Sequence, residues 1–324
     1  MNQTIGTNIH HLRRRRGIGQ GELAESLGVS VQAVSKWETG KANPDLYLLP
    51  GIAEYFGVSI DSLFTHRPDA PELSEEEAAQ LEINNLGWTE ITRTSWKGAL
   101  LPKYGPYAPT EDQLHLLGDI QDKAVLEIGC GCGESLAWMK ERNARELWGL
   151  DISAERIAKA EELLADPGQR ARLFTSPMET DPGIPHRYFD LVYSIYALGW
   201  TSDIDKTILL ISEYLKIGGR FVFSWDNPLL QCIDATDGRY LLSRSYVDER
   251  EITMKKQGSQ LRLRNWKLST YLNCLSAHGF LIEQVVEVSD YDPAEADIFR
   301  EAKYYSAGLA RLINNVVIVK ARKL

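Results

Sequence analysis

The sequence predicts two domains of different class: an all-α head, then an α/β body built on a mainly parallel sheet. Three observations carry this. The chain has 324 residues, more than one ordinary domain needs. Apolar residues recur at helical spacing as far as residue 64, whereas from residue 124 short apolar strands alternate with helices. The charge divides between the same two regions. Residues 1–66 hold six Lys/Arg and six Asp/Glu, so the other 30 basic and 39 acidic residues carry the whole net charge of -9.

In the head, Ile5, Ile9 and Leu12 mark one face of a first helix, broken by Gly17 and Gly19. Residues 20–27 form a second, with Leu23, Ala24 and Leu27 inward and Gly28 as its stop. Ser30 is a good N-cap for a third helix over 31–38, ended by Gly40 and the Asn43-Pro44 turn. Residues 46–56 and 60–64 complete the head, the last turn capped by Ser59. Two short helices joined by Gly28-Val29-Ser30 have helix-turn-helix spacing. The run Arg13 to Arg16 suits a helix end, either solvated or on phosphate.

Residues 66–72, with Pro68 and Pro71, read as the boundary, and Ser74 with Glu77 as a capping box opening an acidic helix to about Asn84. The expected domains are therefore 1–66, a linker and acidic helix over 67–84, and a body over 85–324. In the body, strands fall at 124–128, 147–152, 172–175, 189–195 and 220–225. Helices fall at 135–142, 153–164 (capped by Ser153) and 204–215. In such a fold, ligands sit beyond the carboxyl ends of the strands.

The first strand leads into Glu127-Ile128-Gly129-Cys130-Gly131-Cys132-Gly133. Alternate glycines let the backbone turn tightly and approach a ligand. The spacing is G-x-G-x-G, not the dinucleotide G-x-G-x-x-G. Asp151 ends the second strand, where a carboxylate can accept both hydroxyls of a ribose. Cys130 and Cys132 lack the two further ligands a metal site needs, so no metal is expected.

The head resembles the Cro-like (xenobiotic-response-element) helix-turn-helix family. The match covers about 60 residues, with Gln20, Leu23-Ala24, Gly28-Val29-Ser30, Val34-Ser35, Trp37-Glu38, Gly40 and Pro44 as landmarks. The resemblance implies sequence-specific binding of double-stranded DNA by a homodimer. Gln20 would bond phosphate and Ser30, Gln32, Ala33, Ser35 and Lys36 would face DNA, with the third helix in the major groove. Gln and Ala are suited to adenine and the thymine methyl.

The body resembles the class I S-adenosylmethionine (SAM) methyltransferases, through "VLEIGCGCGES", "LWGLDIS", "FDLVYSIYALGW" and "YLKIGGRFVFSW". This implies a Rossmann-like, seven-stranded sheet, with last strands near 281–288 and 315–321, the final one antiparallel. It implies SAM as cofactor and S-adenosylhomocysteine as product. Gly129, Cys130, Gly131 and Gly133 would flank the methionine part, with Glu127 supporting the loop. Asp151 and Ile152 would meet the ribose, Pro177, Met178 and Glu179 the adenine, and Ser194 and Ile195 the sulfonium side.

Methyl transfer needs positioning more than a fixed catalytic group, so the catalytic residue stays open among Tyr104, Tyr196 and Asp226. Tyr107, Trp200 and Trp225 also lie in loops or at strand ends, and residues 227–266 form an insertion that could cover the acceptor. DNA is disfavoured as the acceptor. The place of [DNS]-P-P-[YFW] reads Ser194-Ile195-Tyr196-Ala197, and no Pro-Cys occurs. The expectation is a methyltransferase for a small molecule, tethered to a transcription-regulator head. The alternative is a regulator whose methyltransferase fold senses SAM or a ligand without turnover. Four cysteines, apolar runs far short of about 18 residues and a polar start (Asn2-Gln3-Thr4) point to a cytoplasmic protein away from membranes.

Overall fold

The computed structural model describes residues 5–16, 18–56, 58, 60, 62–65, 74–95, 100–166, 168, 171–299 and 305–324. The expected breaker Gly17, the cap Ser59 and the proline linker at 66–72 lie outside the described residues. The chain divides into two compact units, Met1–Ser74 with Asp181–His186, and Glu75–Thr180 with Arg187–Leu324.

The first unit holds α1 (Ile5–Arg15), α2 (Gln20–Ser26), α3 (Val31–Glu38), a 3-10 turn (Leu46–Leu48), α4 (Leu49–Phe56) and α5 (Ser62–Thr65). Ile9, Leu23, Val34, Ile52 and Leu63, one from each helix, are fully buried together. Such short helices are marginal alone, so this shared core holds them. The Ser30 hydroxyl accepts from the Ala33 N–H at 3.2 Å and caps α3 as its sequence requires. A buried carboxylate ties three helices. Arg13 donates to Glu38 at 2.6 and 2.9 Å, Gln20 donates to it at 2.8 Å, and His10 Nδ1 lies at 2.9 Å. These donors hold the Glu38 carboxyl at about 2 despite its burial.

The second unit opens with α6 (Glu75–Ser95) and α7 (Glu111–Leu114). The helix expected to end near Asn84 thus continues to Ser95. Its continuation is fixed by packing rather than by an amphipathic stripe: Leu81, Trp88 and Ile91 are buried. Asn84 donates to the Arg262 carbonyl and accepts the Arg262 N–H, both at 2.8 Å. At Gly87, a Cβ would stand 2.4 Å from the Gln260 carbonyl oxygen, so only glycine admits this close approach.

The chain then alternates β1 (Ala124–Ile128), α8 (Glu134–Glu141), β2 (Glu146–Asp151), α9 (Ala154–Leu163), β3 (Arg172–Thr175), β4 (Phe189–Ile195), α10 (Ile204–Tyr214) and β5 (Leu215–Asp226). Two hairpins follow, β6 (Ile233–Thr236) with β7 (Arg239–Leu242), and β8 (Glu251–Lys256) with β9 (Ser259–Arg264). Then come α11 (Leu268–Ala277), β10 (Phe280–Val286) and β11 (Val316–Lys323).

The sheet has seven strands in the order β10-β11-β5-β4-β1-β2-β3, with β11 antiparallel to both neighbours. All five β1 residues are buried, as a central strand covered on both faces requires. One boundary and one cap differ from expectation. β5 begins at Leu215, directly after α10, so Gly218-Gly219 lies within the strand. Ser153 does stand at the N-cap of α9, but its hydroxyl makes no capping bond and pairs with Thr89 of α6 at 2.8 Å.

Candidate functional site

On the head, Ser30, Gln32 and Lys36 are exposed and Ala33 and Ser35 half-buried, while Val34 and Trp37 point into the core. The free face of α3 therefore carries the residues expected to meet DNA. Ser30 is additionally spent on its cap. Gln20 opens α2, and its bond to Glu38 uses one of its two amide hydrogens, leaving the other and the carbonyl free to act outward. The arginine run splits: Arg13 is buried against Glu38, and Arg16 donates to the Tyr55 carbonyl with its guanidinium 5.1 Å from the Tyr55 ring. The side chains of Arg14 and Arg15 lie outside the described residues.

In the body, a cavity of about 360 Å³ opens at the carboxyl ends of the parallel strands. It sits where the strand order reverses between β1 and β4, the place an open α/β sheet offers a ligand. Glu127, Gly129, Cys130 and Gly131 line it from the first loop, Asp151 and Ile152 from the end of β2, Pro177, Met178 and Glu179 after β3, and Ile195 and Tyr196 after β4.

Asp151 Oδ2 accepts from the Gly131 N–H at 3.0 Å and Oδ1 from the Ser153 N–H at 2.9 Å, which fixes the carboxylate against the glycine loop. Gly129 has φ +73, and a Cβ there would stand 2.4 Å from the Ala197 Cβ. Glu127 is buried, accepts from the Tyr193 hydroxyl at 3.2 Å, and is pushed well above the usual carboxylate range by that burial. Glu179 is also buried and raised. Its Oε1 accepts from the Thr201 hydroxyl at 2.7 Å and the Ser202 hydroxyl at 3.1 Å, whereas its buried Oε2 has no hydrogen-bond partner. An orphaned buried oxygen on a cavity wall is costly unless a ligand meets it.

Four expected site residues do not line the cavity, Asp226 among them. Ser194 is fully buried between β4 and β1, its hydroxyl donated to the Ile128 carbonyl at 2.9 Å. Gly133 starts α8 and packs against Ala160 and Leu164 rather than the cavity. Tyr104 is fully buried and donates to Glu111, so its hydroxyl does not reach the cavity.

Tyr196 and Asp226 meet through their side chains. The Tyr196 hydroxyl donates to Asp226 Oδ1, and the Tyr305 hydroxyl lies 2.9 and 3.1 Å from the two Asp226 oxygens and 2.7 Å from the Tyr196 hydroxyl. Burial, then the Asp226 charge, pushes the Tyr196 phenol well up, so it stays protonated at neutral pH. Tyr196 also has φ +57, a strained backbone of the kind found at functional sites. Burial raises the Cys130 and Cys132 thiols, the latter to about 11, which leaves no reactive thiolate in the loop.

Several lining residues were missed from the sequence: Leu81, Asn84 and Trp88 of α6, Lys103, Arg156 of α9, and Lys256 of β8. Leu81 and Asn84 come from the helix read as linker and Lys256 from the insertion, while Trp88, Lys103 and Arg156 stand outside the quoted motifs, so no local motif marks them. Trp88 packs edge-on to Trp200 at 5.2 Å, which gives the cavity an aromatic wall, and Trp225 backs Trp200 at 5.3 Å. Among the described residues no group of three His, Cys, Asp or Glu could hold a metal ion, and no helix is long and apolar enough to cross a membrane.

Comparison with known proteins agrees with this division. Residues 9–63 match the helix-turn-helix family and residues 125–219 match a methyltransferase domain. The head is 35% identical over 71 residues to the HTH-type transcriptional regulator y4dJ of Sinorhizobium fredii, covering 22% of this chain and 92% of that protein. The chain is 32% identical over 108 residues to the aklanonic acid methyltransferase DauC of Streptomyces sp. strain C5, covering 32% of this chain and 49% of that enzyme. It spans less than half the length of several curated relatives, this one among them. A Listeria monocytogenes structure described as a SAM-dependent methyltransferase superposes with a TM-score of 0.54 at 21% identity, covering 66% of this chain and 97% of that one, a likeness of fold. The chain therefore belongs to the Cro-like helix-turn-helix family through its head, joined to a methyltransferase domain on the class I fold.

Proposed function

We propose that the body binds SAM in the strand-end cavity and methylates a small molecule, while the head binds duplex DNA as one half of a homodimer. The observation that carries the enzymatic reading is the donor set around the cavity. A glycine cradle that a Cβ would fill, a strand-end carboxylate at Asp151 and an orphaned buried oxygen at Glu179 fit the parts of that cofactor. Gly129, Cys130 and Gly131 would hold its methionine portion, with Glu127 supporting the loop. Asp151 has lone pairs left for two ribose hydroxyls, and Glu179 Oε2 can accept from the adenine amino group beside Pro177 and Met178.

Bound there, SAM supplies a methyl carbon whose bond to sulfur breaks as an acceptor lone pair attacks, the bonding pair staying on sulfur. The protein's part is positioning. Trp88, Trp200 and Tyr196 wall off water, and the faces of Trp200 and Tyr196 favour a cationic centre. The Tyr196 oxygen can take the proton of an acceptor O–H or N–H while its own proton passes to Asp226, with Tyr305 holding that carboxylate in place.

A small-molecule acceptor is favoured because the cavity is lined by α6 and the β8–β9 hairpin and the body is acidic. In the head, the exposed face of α3 supports major-groove readout by Gln32, Ala33, Ser35 and Lys36. The test is a metabolite screen with full-length protein and SAM, read as S-adenosylhomocysteine. Product with at least one acceptor is expected. SAM binding with no product from any fraction would refute turnover.

A further inference from the structure

The cavity is electrically divided. Glu127, Asp151 and Glu179 stand at the strand ends, whereas Lys256 enters from the β8–β9 hairpin. Lys256 Nζ lies 5.0 Å from the centre of the Trp88 ring, and the Arg156 guanidinium lies 4.3 Å from the same ring. Two cations thus share one indole. Arg156 also donates to the Thr92 hydroxyl at 2.9 Å. Lys256 makes no direct ion pair among the described residues, and Asp226 draws on it only from longer range. Burial lowers its basicity, with Arg156 acting in the same direction. An ammonium in that position is under-compensated, and a cationic cofactor in the same cavity would add to the repulsion. Lys103 also lines the cavity, but it is exposed and screened by water.

We propose that Lys256 anchors a carboxylate of the methyl acceptor, so that the substrate is an anionic small molecule. This rests on the reading of the cavity as a methyl-transfer site. The anchored carboxylate serves as a handle, because pairing with the ammonium lowers its nucleophilicity. The attacked atom is a second group on the same molecule, next to the Tyr196 hydroxyl. A carboxylate is favoured over a phosphate because Lys256 presents a single ammonium, while the Arg156 guanidinium beside it is already engaged by the Trp88 ring and the Thr92 hydroxyl. The aromatic wall of Trp88 and Trp200 suits a flat acid.

The test uses full-length protein loaded with S-adenosylhomocysteine and titrated with benzoate, with benzamide as the neutral counterpart of equal shape. Benzoate is expected to bind at least tenfold more tightly than benzamide. Lys256→Met should remove that preference and Lys256→Arg should restore most of it, while affinity for S-adenosylhomocysteine stays within about twofold in both variants. Equal binding of benzoate and benzamide, or benzoate binding untouched by Lys256→Met, overturns the proposal. So does inorganic phosphate displacing benzoate at equal concentration. A tenfold loss of S-adenosylhomocysteine affinity in Lys256→Met also overturns it, by assigning the anion to the cofactor's own carboxylate. Failure of the wild type to bind S-adenosylhomocysteine would instead sink the reading of the cavity itself.

Discussion

Replacing Glu38 with Gln tests what holds the recognition helix in place. The carboxylate is 2% exposed and receives hydrogen bonds from Arg13 and Gln20, with His10 beside it. Its carboxyl moves from 4.5 to about 2 on folding. At about 1.4 kcal/mol per unit, a displacement of that size is worth about 3 kcal/mol to the folded head. An amide cannot replace it, because its NH2 group would face the Arg13 and Gln20 donors and leave the guanidinium buried without its charge partner. Glu38→Gln should therefore destabilise α1–α3 by about 3 kcal/mol at neutral pH. The sign of the pH dependence follows from a lowered carboxyl. The stabilisation is complete above about 4.5 and is lost as pH falls towards 2, so variant and wild type should converge in that window. Hydrogen exchange of peptides from residues 20–38 in the full-length protein measures this. Wild-type protection in the variant, or a difference between the two that does not shrink between pH 5 and 2.5, would refute the reasoning.

Other expectations follow from the same geometry. Gly129→Ala should cost about 2 kcal/mol of stability and lower SAM affinity at least tenfold, since φ +73 and a 2.4 Å approach to Ala197 must both be relieved; calorimetry with unchanged affinity would contradict this. Gln32→Ala should cost about 1–3 kcal/mol on the cognate site and relax one base position, whereas Gln20→Ala should weaken cognate and scrambled DNA equally, both read as binding curves at one salt concentration. Methyl transfer is expected to persist in EDTA, and activity restored only by added magnesium would contradict that.

The parts legible in the sequence were those fixed by local chemistry. Ser30 capping α3, Gly28 ending α2 and the strand–loop order around Glu127 and Asp151 depend on neighbours a few residues away, and they stand where expected. α6 was cut short because its buried residues form no clean stripe. Leu86 is 66% exposed while Trp88 beside it is buried, and Asn84 and Gly87 earn their places only against β9. The two hairpins did leave a signal. Asp237-Gly238 and Gln257-Gly258 both have positive φ at each residue, the two-residue turn that Asp-Gly in particular announces. Ser194 and Gly133 sit inside the motifs that suggested a ligand role, yet one locks two strands and the other two helices, which a linear motif cannot distinguish. Tyr305 and Lys256 carried no sequence signal, because each acquires its meaning only from an aspartate or a tryptophan far along the chain.

The central claim is that Asp151 and the glycine loop bind SAM. Its most direct test is titration calorimetry of SAM into full-length wild type and a folded Asp151→Ala variant. The account expects micromolar binding to the wild type and a loss of about 10–100-fold in the variant, the value of a charged hydrogen-bond partner of about 1.5–3 kcal/mol. No SAM binding by the wild type, or equal affinity in the two proteins, would contradict it.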